Sequence, residues 1–309
     1  MHGLAIAAAV LLVLSVLWDA FETIVLPRRV SRRFRLTRIF YQGTWKPWRA
    51  IGLRKPPGNA RENFLSIFGP ISILLLLALW ALGLVFGFAL LHWGLQTPMD
   101  ARAGLHGFAA DLYFSGTTFV TLGLGDVAPL SGSGRFLTFI ESGIGFGFLA
   151  LVIGYLPTLF QSFARREVNI SLLDARAGSP PTASELIRRH AGEEGSAALT
   201  TLLQEWEIWS ADLLGIQISF PVLAYFRSQH DNESWVGALT TVLDVCSLVI
   251  AGMENAPKRA ARLTFAMARH AVVDLAMIFH LHPHRPHEDR LSPEDAKRLR
   301  AALHDAGKP

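Results

Sequence analysis

The chain has 309 residues, 51% of them hydrophobic, with a mean hydropathy of +0.32 and 29 basic against 25 acidic side chains. It is too apolar for an ordinary soluble protein and too polar to be embedded throughout, so part is expected in a membrane and part in water. A formal charge of +4 without a helix-turn-helix, zinc-finger or aromatic RNA-binding pattern gives no reason to expect a nucleic-acid partner; the single cysteine, Cys246, excludes an intrachain disulfide and reads as a small core residue.

Residues 4–26 are an apolar run long enough to span the hydrocarbon core, the first expected transmembrane helix (domain 1–27). Met1-His2-Gly3 offers no charged leader and no small-residue cleavage site follows, so the run is expected to stay in the mature protein, with its N-terminus external. Asp19 and Glu22, three apart, share a helix face and are costly in lipid. Pairing with Arg28, Arg29 or another helix, or a part in gating, would account for them.

The segment 28–63 carries Arg28, Arg29, Arg32, Arg33, Arg35, Arg38, Lys46, Arg49, Arg54, Lys55 and Arg61 against Glu62, and by the positive-inside bias is cytoplasmic. Trp45 and Trp48 among these charges predict an interfacial helix on anionic lipid headgroups, or a phosphoinositide-like regulatory site; Pro56-Pro57-Gly58-Asn59 ends it. Residues 67–93 are the second span. The following loop has only Arg102 as a basic residue, which suits the external side. A segment from about Gly107 to Thr118 is too short to cross and is expected to re-enter.

Next comes Thr117-Thr118-Phe119-Val120-Thr121-Leu122-Gly123-Leu124-Gly125-Asp126. Backbone carbonyls can replace the water around a cation only if successive oxygens point at one axis. That requires a strand alternating between ordinary and left-handed geometry, which glycine at 123 and 125 tolerates. Thr121 can add a hydroxyl at the inner end, and Asp126 can hold the outer mouth from behind. A third span is expected over 136–160, with Gly143, Gly145 and Gly147 offering either flexibility or close packing, and Pro157 permitting a bend at the inner mouth. Glu141 is an intramembrane acid expected behind the filter, near Ser115 or Thr117, or facing a partner in a wet crevice.

These residues resemble the tetrameric potassium-channel pore family of the two-helix pore-loop type, whose filter usually reads Thr-Val-Gly-Tyr-Gly-Asp. The resemblance runs from about 64 to 160 and adds an N-terminal helix to the family's two. It implies a filter of Thr121, Leu122, Gly123, Leu124, Gly125 and Asp126, with permeant potassium ions at Thr121 to Leu124. It also implies a pore helix in which Tyr113 and Phe114 take the aromatic positions beside Thr117 and Thr118, and an inner helix starting near Arg135; the choice of Gly145 as its hinge comes only from this resemblance. Leu124 replaces the family's aromatic residue and removes a hydroxyl that would tie the filter down. No voltage sensor is visible, because the arginines follow the first span instead of recurring within one.

Beyond Arg165-Arg166 the composition predicts a soluble helical domain, with helices near 183–190, 197–214, 221–229, 234–253 and 257–281 and a linker at Ser179-Pro180-Pro181-Thr182. Val236 to Gly252 is apolar enough to raise a fourth span, but Asp244 and its short length favour core burial. His280, His282, His284 and His287 around Pro283 and Pro286 read as a flexible surface tail in preference to a metal or pH site, and Ser292-Pro293-Glu294 starts a short charged helix.

The expectation is therefore an all-α membrane protein with three transmembrane helices, a re-entrant pore helix and filter (pore domain 64–163) and a cytoplasmic helical domain (164–309). It would act as a homotetrameric, potassium-selective passive channel in the cell membrane, with lipid as a partner, no cofactor beyond permeant ions, no catalytic or metal site and no enzyme activity. A weakly selective monovalent-cation channel, or a membrane-anchored sensor or scaffold with a vestigial pore, are the alternatives.

Overall fold

The computed structural model describes residues 2–26, 35–101, 104–190, 193–228, 233–253, 256–279, 281 and 292–305. Arg28, Arg29, Arg32, Arg33, Arg102 and the four tail histidines His280, His282, His284 and His287 lie outside them. The elements in order are α1 (His2–Ala20) continuing as a π-helical turn (Phe21–Val25), α2 (Leu36–Leu53), α3 (Asn59–Ser66), α4 (Phe68–Gly94), β1 (Met99–Ala101), α5 (Phe108–Phe119), β2 (Val127–Pro129), α6 (Gly132–Ala177), α7 (Ala183–Arg189), α8 (Glu193–Ser219), a 3-10 turn (Pro221–Tyr225), α9 (Trp235–Gly252), α10 (Lys258–Ile278) and α11 (Pro293–Asp305). This is an all-α membrane protein. It forms two compact units, Met1–Lys55 with Ile67–Leu159, and Pro56–Ser66 with Phe160–Pro309.

In the first unit α1 lies along α4 because three glycines of α4 leave room for branched side chains of α1. A Cβ at Gly87 would come 2.6 Å from Val13 Cγ2, at Gly94 2.8 Å from Ile6 Cγ1, and at Gly83 3.2 Å from Val16 Cγ2. Small residues at a helix contact allow the close backbone approach on which association in lipid depends. The far side of α1 leaves Leu4, Leu11, Leu14 and Trp18 exposed.

Asp19 is fully buried and accepts hydrogen bonds from Thr37 N (3.0 Å), Thr37 Oγ1 (2.6 Å) and Trp80 Nε1 (3.1 Å), with Arg35 Nε 3.8 Å away. The Thr37 amide is one of the donors that the start of α2 leaves unpaired, so Asp19 caps α2 from a different helix. Glu22 accepts from Trp18 Nε1 (2.8 Å) and lies 3.4 Å from Arg35 Nε. Among the described residues Arg35, at the start of another helix, faces both acids, as one of the expected pairings had it; Arg28 and Arg29 lie outside the described residues. The aromatic face of α2 also turns inward: Trp45 and Trp48 stand 4.9 Å and 5.8 Å from the Phe68 ring, leaving Ile39, Ile51 and Leu53 exposed.

The sequence predicts that the third span stops at 160, but α6 runs unbroken from Gly132 to Ala177, about 70 Å at 1.5 Å per residue and far more than a hydrocarbon core needs. Pro157 removes one hydrogen bond without ending the helix. Residues 161–177 are mostly good helix formers. The stop is Gly178, at φ +87°, whose N–H returns to Asp174 O at 2.9 Å, followed by the prolines of the predicted linker.

The second unit is built on the end of α6 (Ile170, Leu173, Ala177) and on α7 to α10, with Trp206, Trp209, Leu239, Val242, Val249 and Leu275 in its core. Thr182 caps α7 and Ser234 caps α9. Ala261, Ala268 and Ala271 are fully buried on α10, and Thr264 Oγ1 donates to Leu203 O at 2.7 Å. Helix α9 has the length and apolarity of a span, yet Ala238, Leu239, Val242, Val245, Cys246 and Val249 are core residues of this unit. Burial pushes the Cys246 thiol up to about 12, so it is an inert core group.

The helix expected over 221–229 is only the 3-10 turn Pro221–Tyr225. Buried Arg166 accounts for this: its Nη1 donates to Leu223 O (2.9 Å) and its Nη2 to Phe226 O (3.0 Å), while Nε donates to Glu167 Oε1 (2.9 Å). The guanidinium draws on both carbonyls, Leu223 O also accepting the Phe226 amide at 3.1 Å, and Phe226 is extended, at φ −86° and ψ 117°.

Candidate ion-conduction site

Helix α5 has twelve residues, too few to cross, and packs against α4. Antiparallel pairing of β1 with β2, Met99 opposite Pro129 and Ala101 opposite Val127, closes the chain on either side of it. Between α5 and β2 lies the Thr121–Asp126 stretch. Thr121, Gly123 and Gly125 have φ of +57°, +54° and +75°, alternating with residues of ordinary geometry. The sequence marked the two glycines; it did not mark Thr121, a β-branched residue in a region costly for it.

The N–H groups at the start of this strand return to the end of α5. Thr121 N donates to Thr118 O (2.9 Å), and Leu122 N and Gly123 N donate to Thr117 O (2.8 Å and 3.3 Å). The helix therefore satisfies the strand's donors with its own otherwise unpaired final carbonyls. Among the described residues no backbone N–H donates to the carbonyls of Thr121 through Gly125. In the single chain the strand is exposed, with Leu122 and Leu124 at 59% and 57% exposure.

Three contacts hold the strand and its helix. Tyr113 Oη donates to Asp126 Oδ2 at 2.8 Å, and Val127 N donates to Asp126 Oδ1 at 3.1 Å. Gly145 of α6 presses on the end of α5: a Cβ there would lie 2.1 Å from Phe119 O and 2.9 Å from its carbonyl carbon. Glu141, four residues earlier and fully buried, meets Ser115 of α5 through Oε1 and faces His92 Nε2 of α4 through Oε2 at 3.7 Å.

Phe114 is buried and meets His92 edge to face, with ring centroids 5.3 Å apart. Thr118 is buried, and the Thr117 hydroxyl is turned back to Phe114 O (3.0 Å), so of the two expected partners of Glu141 it is Ser115 that makes the contact. Pro157 lies further along α6. His92 was not singled out in the sequence, although an imidazole inside an apolar span and a carboxyl inside another are the kind of residues that seek each other in lipid. Among the described residues no cluster of three or more His, Cys, Asp or Glu side chains could hold a metal ion.

Residues 73–162 match the family model described as ion channel. The chain is 25% identical over 214 residues to the uncharacterized membrane protein YdjJ of Bacillus subtilis, an alignment covering 68% of this chain and 59% of that one. It thus spans less than two thirds of that relative's length. No solved structure matches. With the alternating strand after a short helix and a long apolar helix on each side, the segment 73–162 is similar to the ion-channel family in its model match and in its two-helix, pore-loop arrangement.

Proposed function

We propose that the chain forms a potassium-selective channel in the cell membrane, passive and driven by the electrochemical gradient. The observation that carries this reading is the left-handed geometry at 121, 123 and 125, with the intervening carbonyls free of backbone donors. Carbonyl dipoles arranged along one strand are the ligands that replace water around a hard monovalent cation.

One strand cannot enclose an ion, and four around an axis can. The homotetramer is supported by the large apolar side chains that the first unit leaves exposed on α6, among them Phe136, Phe139, Phe146 and Ile153, beside the exposed strand. Four α5 helices would then aim their negative C-terminal ends at a central cavity, which favours a dehydrated cation. The N-terminus is external and the second unit cytoplasmic in this reading, because the basic stretch 28–61 then lies inside.

Flux from liposomes of purified protein, with potassium against sodium gradients, tests it. Potassium flux exceeding sodium flux supports the reading; equal fluxes establish instead a weakly selective monovalent-cation channel, which the leucine at position 124 favours. Intact tetramers without flux would leave a sensor or scaffold.

A further inference from the structure

We propose that Glu141 carries a proton in the working protein and that, through this proton, it positions the pore helix α5 from behind. The proton itself is argued from donor counting alone; its consequence for the filter rests on the channel reading above.

Ser115 Oγ lies 2.8 Å from Val85 O and also contacts Glu141 Oε1. A hydroxyl has one hydrogen and a backbone carbonyl only accepts. If Ser115 donates to Val85, the second contact needs a hydrogen from Glu141, which a neutral carboxyl has and a carboxylate lacks. In the opposite arrangement Ser115 gives its hydrogen to an ionised Glu141. Its contact with Val85 O is then oxygen against oxygen.

The other carboxyl oxygen decides between them. Among the described residues Oε2 has no hydrogen-bond partner, because His92 Nε2 stands 3.7 Å away, beyond hydrogen-bond length. An ionised Glu141, fully buried at membrane depth, would hold its charge on one donor. Asp19 of the same chain shows what a buried carboxyl is given when it takes several donors: the Thr37 amide, the Thr37 hydroxyl, the Trp80 indole and Arg35 nearby. Glu141 is given one hydroxyl, that of Ser115, with His92 Nε2 at 3.7 Å where Asp19 has Arg35.

The surrounding groups complete an ordered row. His92 Nδ1 is 3.2 Å from Thr97 Oγ1. With Thr97 donating to Nδ1, the imidazole hydrogen sits on Nε2 and faces the Glu141 carbonyl oxygen, and the Glu141 hydroxyl goes to Ser115, whose own hydrogen goes to Val85. The other titratable side chain acting on His92 is Asp111, buried in the first turn of α5. Helices α4, α5 and α6 thus meet at one proton, four residues before Gly145 bears on the end of α5. Glu141 is a positioning residue: it touches no ion.

Infrared difference spectra of the purified full chain at neutral pH test this. Wild type minus Glu141→Gln should show the carbonyl stretch of a protonated carboxylic acid, and wild type minus Asp111→Asn should lack that band, because Glu141 absorbs equally in both proteins. Ser115→Ala, which removes the acceptor and not the acid, should shift it to higher frequency. In liposomes Glu141→Gln should keep wild-type potassium flux, whereas Glu141→Ala should lower it about tenfold, the scale of one lost buried hydrogen bond. A carboxylate band lost in place of the acid band, or an acid band that Ser115→Ala does not move, overturns the proton. An acid band present with Glu141→Gln as impaired as Glu141→Ala overturns the positioning role. The spectra need no conduction, so their failure is distinct from failure of the channel reading.

Discussion

Tyr113 Oη donates to Asp126 Oδ2 at 2.8 Å, joining the middle of α5 to the residue that ends the Thr121–Gly125 strand, while the second carboxylate oxygen takes the Val127 amide. The strand is thereby tied at its far end by a side chain thirteen positions earlier, and at its near end by the amides of residues 121–123 on the Thr117 and Thr118 carbonyls. A phenol bonded to a carboxylate contributes less where, as here, the pair is partly exposed than it would in a sheltered site. Tyr113→Phe keeps the ring and removes only this tie. The expected result is intact oligomers with a lower potassium-to-sodium permeability ratio, read from reversal potentials in mixed salts; an unchanged ratio would mean that the strand is held without it.

Gly123 sits at φ +54° with nothing within 4 Å of where a Cβ would go. Substitution by alanine therefore meets no clash and pays only for the left-handed backbone, about 1–2 kcal/mol per chain. Relaxation to ordinary geometry would turn its carbonyl. Gly123→Ala should abolish flux while the particle's size on a gel-filtration column stays the same, and normal flux in that variant would remove the strand from the conduction path.

Gly145 was open in the sequence between hinge and contact. The geometry favours contact, since a methyl group there would meet the Phe119 carbonyl at 2.1 Å, a backbone atom that cannot step aside. Gly145→Ala should lower thermal stability by about 1–3 kcal/mol as α6 is pushed off α5, and flux should fall with it. Gly147→Ala, which meets nothing within 4 Å in the chain, is the matched control and should not lose stability. A Gly145→Ala protein as stable as wild type but rarely open would restore the hinge.

What the sequence made legible follows from how local each signal is. The spans, the short re-entrant helix and the glycine alternation are patterns within a few residues, and α1, α4, α5 and the core placement of α9 agree with them. The span read over 136–160 is the apolar part of α6; that the helix continues to Gly178 had no such mark, because the apolar pattern gives way near Arg165-Arg166 while the backbone stays helical. Long-range pairings carried no local mark: Asp19 with Thr37 and Trp80, Gly87 with Val13, His92 with Glu141. Each joins residues far apart in the chain whose chemistry was visible and whose partner was not.

Arg166 is such a case with a consequence for stability. Its guanidinium is buried, serves two carbonyls of the 3-10 segment and pairs with Glu167. Arg166→Met removes the charge that faces Glu167 and the guanidinium donors to both carbonyls, so a loss of about 3 kcal/mol is expected in thermal unfolding. Arg166→Lys should also destabilise, because one ammonium cannot span two divergent carbonyls as the planar fork does. Wild-type stability in the lysine variant would show that charge alone suffices.

Leu124 is the position of the proposed filter where the chain departs from Thr-Val-Gly-Tyr-Gly-Asp, and its side chain is 57% exposed in the single chain. A leucine packs without a hydrogen bond, so the middle of the strand depends on the two end ties, Tyr113 with Asp126 and the amides on the α5 carbonyls. If selection for potassium follows from a cavity held at fixed size, a strand pinned only at its ends admits more sodium; if it follows from the number and field of carbonyls, the same strand selects as well as a fully pinned one. Leu124→Tyr separates the two. The new phenol adds a hydroxyl at the undersupported middle without altering the count of carbonyls, so the expected outcome is a higher potassium-to-sodium permeability ratio than wild type in an intact oligomer. Combined with Tyr113→Phe it should recover part of the ratio lost at the far end, since both changes act on the rigidity of one strand. A ratio that stays level or falls in Leu124→Tyr, with flux otherwise normal, would show that the end ties already hold the strand and that leucine costs the channel nothing.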